Sequence, residues 1–259
     1  RARARRCRTL IVNVMEGQPY VTADHRLLVE RGAEVIRGMA LLAQAMGTGG
    51  MILAVDGRRT DDYRRLVGPA RSYGIDLVAL PHKYPIGADA MLVKVLTRRE
   101  TPPGAETLEV GAVVLNAATC FAAYRWAACG LRPGWRVVTV SGENIPRPAN
   151  CWAPFGASCL ELAGGAPAPV VHGGPMVGLR CDVRAVVGPA TDAVLALDVA
   201  PVTPPSPCIR CSWCTDHCPA RLNVAALNDA FELSRLDHAR YLCVAACVEC
   251  GVCTYVCPA

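Results

Sequence analysis

The 259 residues carry 27 Lys and Arg against 22 Asp and Glu, a formal charge of +5, with 52% hydrophobic residues, 19% charged residues and 15 cysteines. That composition excludes a disordered chain, and the length suits about two domains of ordinary size. Five of the positive charges are Arg1, Arg3, Arg5, Arg6 and Arg8; without them 22 basic residues face 22 acidic ones, and no basic face with interleaved aromatics follows, which excludes a nucleic-acid binder.

Residues 1–8 are expected to be a solvated, disordered basic terminus. An Arg start and an Ala259 end directly after Cys-Pro read as a piece of a longer protein. Thr9 to Val14 is a short apolar strand, followed by a polar turn and a long amphipathic helix. Its stripe is Leu27, Leu28, Val35, Met39, Leu42 and Met46, and Gly47 stops it. Met51 to Val55 is a second strand, a helix begins near Thr60, and Ile75 to Leu80 is a third strand. Val93 and Leu96 mark another helix, Val110 to Leu115 a fourth strand, and Thr119 to Ala128 a further helix. Four strand-helix alternations predict an α/β, Rossmann-like layer with a largely parallel sheet over 9–131.

Ligands of such sheets sit beyond the carboxyl ends of the strands. Those ends carry Asn13 and Glu16, then Lys83 to Asp89, then Asn116 and Thr119. Asn and Thr at helix starts serve equally as caps, and neither a G-x-G-x-x-G nor a Walker A sequence is present, so spacing alone names no ligand.

From Arg132 the texture changes. A strand from Trp135 to Val140, a turn-rich stretch from Gly142 to Pro148 and a short helix from Gly156 predict a small β-grasp domain over 132–182. The longest uncharged stretch, Leu162 to Leu179, contains eight Gly or Pro in 18 residues and cannot form a continuous spanning helix. No signal peptide is visible either, so the chain reads as soluble or peripheral. Residues 183–205 read as a linker, stiffened towards the clusters by Pro201, Pro204, Pro205 and Pro207.

Nine cysteines fall in the last 52 residues, and eight repeat one spacing. Cys208, Cys211, Cys214 and Cys218 precede Pro219; Cys247, Cys250, Cys253 and Cys257 precede Pro258. Each set is C-x2-C-x2-C-x3-C-P, the bacterial ferredoxin run, in which three thiolates wrap one [4Fe-4S] cubane and the fourth ligates the other cluster. The expected sets are Cys208, Cys211, Cys214 with Cys257, and Cys247, Cys250, Cys253 with Cys218. Disulfides would call for a secreted chain, and zinc ribbons use only two C-x2-C pairs per metal. The other seven cysteines share no spacing, and core packing is expected for most. Leu222, Ala225, Ala226, Asp229, Ala230 and Leu233, then Leu236 to Ala246, make the 206–259 two-cluster module mainly helical.

Taken together, the segments LIVNVMEGQPYVTADHRL (10–27), KYPIGADAMLVKVL (83–96), residues 137–156, HGGPMVG (172–178) and the doubled cluster motif resemble the RnfC family of the Rnf electron-transport complex, related to the flavin subunit of respiratory complex I. The resemblance implies an NADH-oxidising, FMN-carrying electron-transfer subunit with a β-grasp domain of the soluble-ligand-binding (SLBB) type. It implies membrane subunits of an Rnf-like complex, and ferredoxin or another electron carrier, as partners. The implied location is peripheral, on the cytoplasmic face of the cell membrane. By motif, Asn13, Glu16, Gly87, Asp89, Asn116 and Thr119 would hold FMN, with no general base. The family's GGAGFPT loop would lie before residue 1, Gln18 replaces a second Glu, and Ala88-Asp89 replaces Gly-Glu. A noncatalytic iron-sulfur relay or docking subunit, or a cobalamin-reductase-like relative, are the alternative readings.

Overall fold

The computed structural model describes residues 7–166, 169–198 and 206–259. Arg1 to Arg6 of the basic run, and Pro201, Pro204 and Pro205 of the Pro-rich spacer, lie outside the described residues. Cys7 is buried, and the Arg8 N–H donates to the Gly111 carbonyl at 2.8 Å.

The first unit contains β1 (Thr9–Val14), α1 (Ala23–Met46), β2 (Gly50–Asp56), α2 (Thr60–Tyr63), α3 (Val67–Ser72), β3 (Asp76–Leu80), α4 (Asp89–Thr97), β4 (Ala112–Asn116) and α5 (Ala117–Cys129). The four strands form one parallel sheet in the order β3-β2-β1-β4, with Val12 opposite Leu53 on one side and Leu115 on the other. Strand side chains alternate between faces. Leu10, Val12 and Val14 therefore join Leu53 and Val55 under α1 and α5, whereas Ile11, Met15 and Ala54 pack with Leu92 and Val93 of α4 on the other face. Both faces are covered, which is why these strands read as nearly continuous apolar runs.

Gly47 ends α1 as expected, in the left-handed conformation at φ 70°, its N–H bonding the Ala43 and Gln44 carbonyls. Two boundaries differ from expectation. The helix from Thr60 is broken into α2, a 3-10 turn over Arg64–Leu66 and α3, where Gly68 and Pro69 disfavour one continuous helix. The fourth strand starts at Ala112, because Thr107–Val110 is a 3-10 turn closed by Gly111 at φ 79°.

The crossing of α1 and α5 depends on Gly38. A Cβ there would sit 1.8 Å from the Cys120 carbonyl oxygen, an atom of helix backbone with no freedom to swing away. Gly38→Ala gains about 1 kcal/mol of helix propensity but forces the helices apart. Overpacking of this kind costs about 3 kcal/mol, so a net loss of about 2 kcal/mol is expected in urea unfolding.

The second unit is a five-stranded mixed sheet in the order β6-β5-β9-β7-β8, from β5 (Trp135–Ser141), β6 (Ala149–Pro154), β7 (Val170–His172), β8 (Leu179–Arg180) and β9 (Ala193–Ala196), with α6 (Cys159–Leu162) packed on it. β5 and β9 are parallel and the other pairs antiparallel. The expected boundary at 182 is corrected here: β9 lies within the expected linker, yet it is the central strand and all four of its residues are fully buried. A four-residue strand buried on both faces has no alternation to reveal it.

The third unit, α7 (Trp213–Asp216), α8 (Val224–Glu232), α9 (Leu236–Tyr241) and α10 (Val252–Tyr255), is helical, with a small core of Leu222, Leu227, Ala230 and Ala239. No helix among the described residues is long and apolar enough to cross a membrane.

Candidate functional site

The carboxyl ends of β1 and β4 and the segment before α4 open onto a cavity of about 610 Å3. Asn13, Glu16, Gly87 and Asn116 line it, together with Tyr84, Asp24, Gln18, Arg136, Asp192 and, from the third unit, Val248, Glu249 and Cys250. Asn13 holds two edges together: its Oδ1 accepts from the Met15 N–H at 3.0 Å, and its Nδ2 donates to the Gly87 carbonyl at 2.8 Å. Gly87 lies so close to the β1 exit that a Cβ would come 3.2 Å from that of Met15.

Asn116 is the N-cap of α5, its Oδ1 accepting from the Thr119 N–H at 2.8 Å and from the Thr119 hydroxyl at 2.6 Å. Thr119 therefore serves the cap and does not line the cavity. Asp89 opens α4 and lines a neighbouring cleft of about 890 Å3, between α4 and residues 219–221 and 245–249. Burial pushes its carboxyl above the usual range.

Glu16 is the most perturbed group of the cavity. Its Oε1 accepts from the Asp24 N–H, whereas Oε2 is buried with no hydrogen-bond partner. Burial, reinforced by the nearby Asp24 charge, pushes the carboxyl up to about 8. Asp24 is itself pushed up to about 6 by burial, against the opposing pull of Arg136 and the Ala118 N–H at 3.2 Å. Sequence reading missed Asp24 and Arg136, and named Gln18 only as the replacement of a Glu and Tyr84 only within the stretch Lys83 to Asp89. Arg136 had a signal, since it is a charge inside the otherwise apolar strand WRVVTVS, and it is buried where the second sheet meets α1.

Two contacts bring the cysteine-rich unit to this cavity. The Tyr84 hydroxyl donates to the Cys250 carbonyl at 2.5 Å. Gly251 packs against the HGGPMVG segment, whose Met176 N–H donates to Gln18 Oε1 at 3.1 Å. Gly251 is left-handed at φ 72°, and a Cβ would stand 2.4 Å from the Met176 carbonyl oxygen. Gly251→Ala adds about 1–2 kcal/mol of backbone strain to that clash. The expected outcome is a lowered melting temperature and a weakened hold of the cysteine loop on the cavity, checked by thermal unfolding and by faster amide exchange at residues 247–253.

The two cysteine runs fold alike. Arg210 and Ser212 of the first have φ of 56° and 65°, matched by 53° at Glu249 and 72° at Gly251 in the second. Cys208, Cys211, Cys214 and Cys257 line one recess. Cys218 instead lies within electrostatic reach of Cys250, as does Cys253. Backbone N–H groups of Leu222 and Glu249 approach the Cys218 and Cys247 sulfurs at 3.4 Å each. Among the described residues no three Cys, His, Asp or Glu side chains converge as ligands of a single metal ion. Of the remaining seven cysteines, Cys7, Cys120 and Cys159 are buried, Cys151 and Cys181 half-buried, and Cys129 and Cys243 exposed.

This arrangement has relatives. The RnfC protein of Rhodobacter capsulatus, a component of its ion-translocating oxidoreductase complex, is 35% identical over 89% of this chain and 47% of its own length. Over most of its length the chain is similar to the RnfC proteins. The Edwardsiella ictaluri member is also 35% identical, over 85% of this chain and 29% of its own. The chain thus spans about half or less of the length of these relatives. Residues 1–125 match the family described as the Nuo51 FMN-binding domain. In fold, the chain is similar to a crystal structure of NAD+-reducing [NiFe]-hydrogenase in the H2-reduced state, with a TM-score of 0.58 at 21% identity over 73% of this chain and 40% of that one. The first unit thus matches a family of FMN-binding-domain type, and the cysteine-rich end fits iron-sulfur binding.

Proposed function

We propose that this chain passes electrons from NADH, through FMN held in the 610 Å3 cavity, to two [4Fe-4S] clusters and on to membrane subunits of an Rnf-like complex. Ferredoxin or another carrier stands at the far end of that flow. The observation that carries the reading is that Cys250 lines the same cavity as Asn13, Glu16 and Asn116. FMN, when bound, divides a two-electron hydride into the single electrons that iron-sulfur clusters accept.

The residues present fit both groups. The cavity sits at the carboxyl end of a parallel sheet and is walled by amide, carboxyl and guanidinium groups that suit ribityl and isoalloxazine polar atoms. Asn13 and Gly87 set the cavity edge, the Asn116 side chain is fixed by its cap bonds, and Arg136 supplies the cation facing Asp24. Four cysteines lining one recess suit a cubane, whose four irons each take a different ligand. The cluster of Cys247, Cys250, Cys253 and Cys218 is then the one beside the cavity. That of Cys208, Cys211, Cys214 and Cys257, with three of its four cysteines exposed, faces outward.

The first unit is the flavin and NADH domain, 132–196 the SLBB-type β-grasp domain and 206–259 the ferredoxin-type domain of a protein peripheral on the inner membrane face. The test is anaerobic purification of the whole natural protein, acid release of FMN and titration with NADH. Stoichiometric FMN and NADH-reducible clusters are expected. Clusters that dithionite reduces and NADH does not, in a protein free of FMN, would favour a noncatalytic relay instead.

A further inference from the structure

NADH and two oxidised clusters yield NAD+, two reduced clusters and one proton. The hydride carries two electrons and a proton, and the clusters take only the electrons. One proton per turnover must therefore leave the cavity.

We propose that Glu16 is the carrier of that proton, and that Tyr63, His25 and Asp62 conduct it to solvent. Glu16 Oε2 is buried at the cavity wall without a partner, so its proton is committed to no other bond. Tyr63 of α2, which feels the Glu16 charge, and His25 of α1 are both buried, with the Tyr63 hydroxyl 2.7 Å from His25 Nδ1. His25 Nε2 lies 3.6 Å from Asp62 Oδ2, and the Asp62 side chain is 50% exposed. The chain of groups thus begins near the cavity and ends at the surface.

The electrostatics agree with that path. The groups acting on Glu16 are Asp24, the His25 and Asp24 N–H groups and Arg59; Asp24 in turn faces Arg136 and Asp192. Burial, then the Glu16 charge, holds the Tyr63 phenol far above its usual range, so it stays a proton donor. Burial, then Arg59, lowers His25, against Asp62 and Asp56. A neutral imidazole can accept at one nitrogen while donating at the other. Relay then needs no charged intermediate held on Tyr63: Glu16 passes its proton outward and takes the next from the cavity.

This inference rests on the flavin reading of the cavity, and two measurements separate their failures. In isotope-edited infrared spectra of the purified protein, with or without flavin, a protonated carboxyl band should persist at pH 7, titrate near 8 and vanish in Glu16→Gln. A Glu16 ionised at pH 7 overturns the proposal whatever the flavin content. In weakly buffered stopped-flow mixing with NADH, dye-detected proton release should keep pace with cluster bleaching in the wild type. It should lag bleaching at least about tenfold in Glu16→Gln and in Tyr63→Phe, a difference of about 1.4 kcal/mol in barrier. Proton release in step with bleaching in both variants overturns the relay. Absence of any bleaching by NADH removes the flavin reading and leaves the infrared result to decide the state of Glu16.

Discussion

Cys257→Ser is expected to remove the cluster of the other motif. On the crossed assignment, Cys257 closes the recess formed by Cys208, Cys211 and Cys214, so its loss leaves the cluster on Cys247, Cys250 and Cys253 in place. Iron should fall from about eight to about four atoms per chain, with one of two overlapping paramagnetic signals lost on reduction. Residues serving one unit are non-additive when removed together, and residues of separate units add. Cys208→Ser with Cys257→Ser should therefore lose no more iron than either alone, whereas Cys208→Ser with Cys218→Ser should lose nearly all of it. Iron analysis and paramagnetic resonance check both. The reverse pattern, with Cys208 and Cys218 acting as one, would assign each cluster to a single run and remove the interleaving of the two motifs.

The second large effect concerns pH. Glu16 rises from an ordinary 4.5 to about 8 on folding, so the folded state holds its proton more tightly than the unfolded state. Its stabilisation is present in full below pH 4.5 and is lost as pH rises towards 8, an effect of up to about 5 kcal/mol over that window. Asp24, raised from 3.8 to about 6, acts in the same direction over a lower window. The protein should thus be more stable near pH 5 than near pH 8.5. Glu16→Gln, which keeps a neutral group of the same shape, should be more stable than the wild type at pH 8.5 and nearly equal to it at pH 5. At about 2–4 °C per kcal/mol for a chain of this size, a gap of roughly 10–20 °C in melting temperature at pH 8.5 is expected in thermal scans of the cluster-loaded protein. A wild-type melting temperature that climbs from pH 5 to pH 8.5 would show that Glu16 is ionised in the fold.

Both effects bear on what could be read before any coordinates. The doubled cysteine spacing is a local pattern, since three of the four ligands expected for one cubane come from a single short loop, and it was readable residue by residue. The alternation of apolar strands with helices was equally local, so β1, the length of α1 and its Gly47 stop came through. β9 did not, because four apolar residues carry no period and its place between β5 and β7 is set by partners more than 20 residues distant.

The residues nominated for FMN show the same division. Asn13, Glu16, Gly87 and Asn116 were nominated from strand ends and motif, and they share the cavity. Asp89 and Thr119 were nominated on the same grounds, and α4 turns one into the adjacent cleft while the α5 cap uses the other. Which side of a helix start a residue faces depends on how that helix lies over the sheet, and the local pattern does not contain it.

By itself the sequence determined the chemistry on offer: eight cysteines in two runs of one repeated spacing, a parallel α/β layer, and polar residues at its strand ends. The tertiary structure decided what meets what. It drew the Cys250 loop against Tyr84 and the HGGPMVG segment, set Arg136 of one sheet against Asp24 of another unit, and left one Glu16 oxygen without a partner. Ligand spacing is local and survives in a string of residues. Burial, the approach of distant charges and the walls of a cavity are sums over segments far apart in the chain, and they exist only once it has folded.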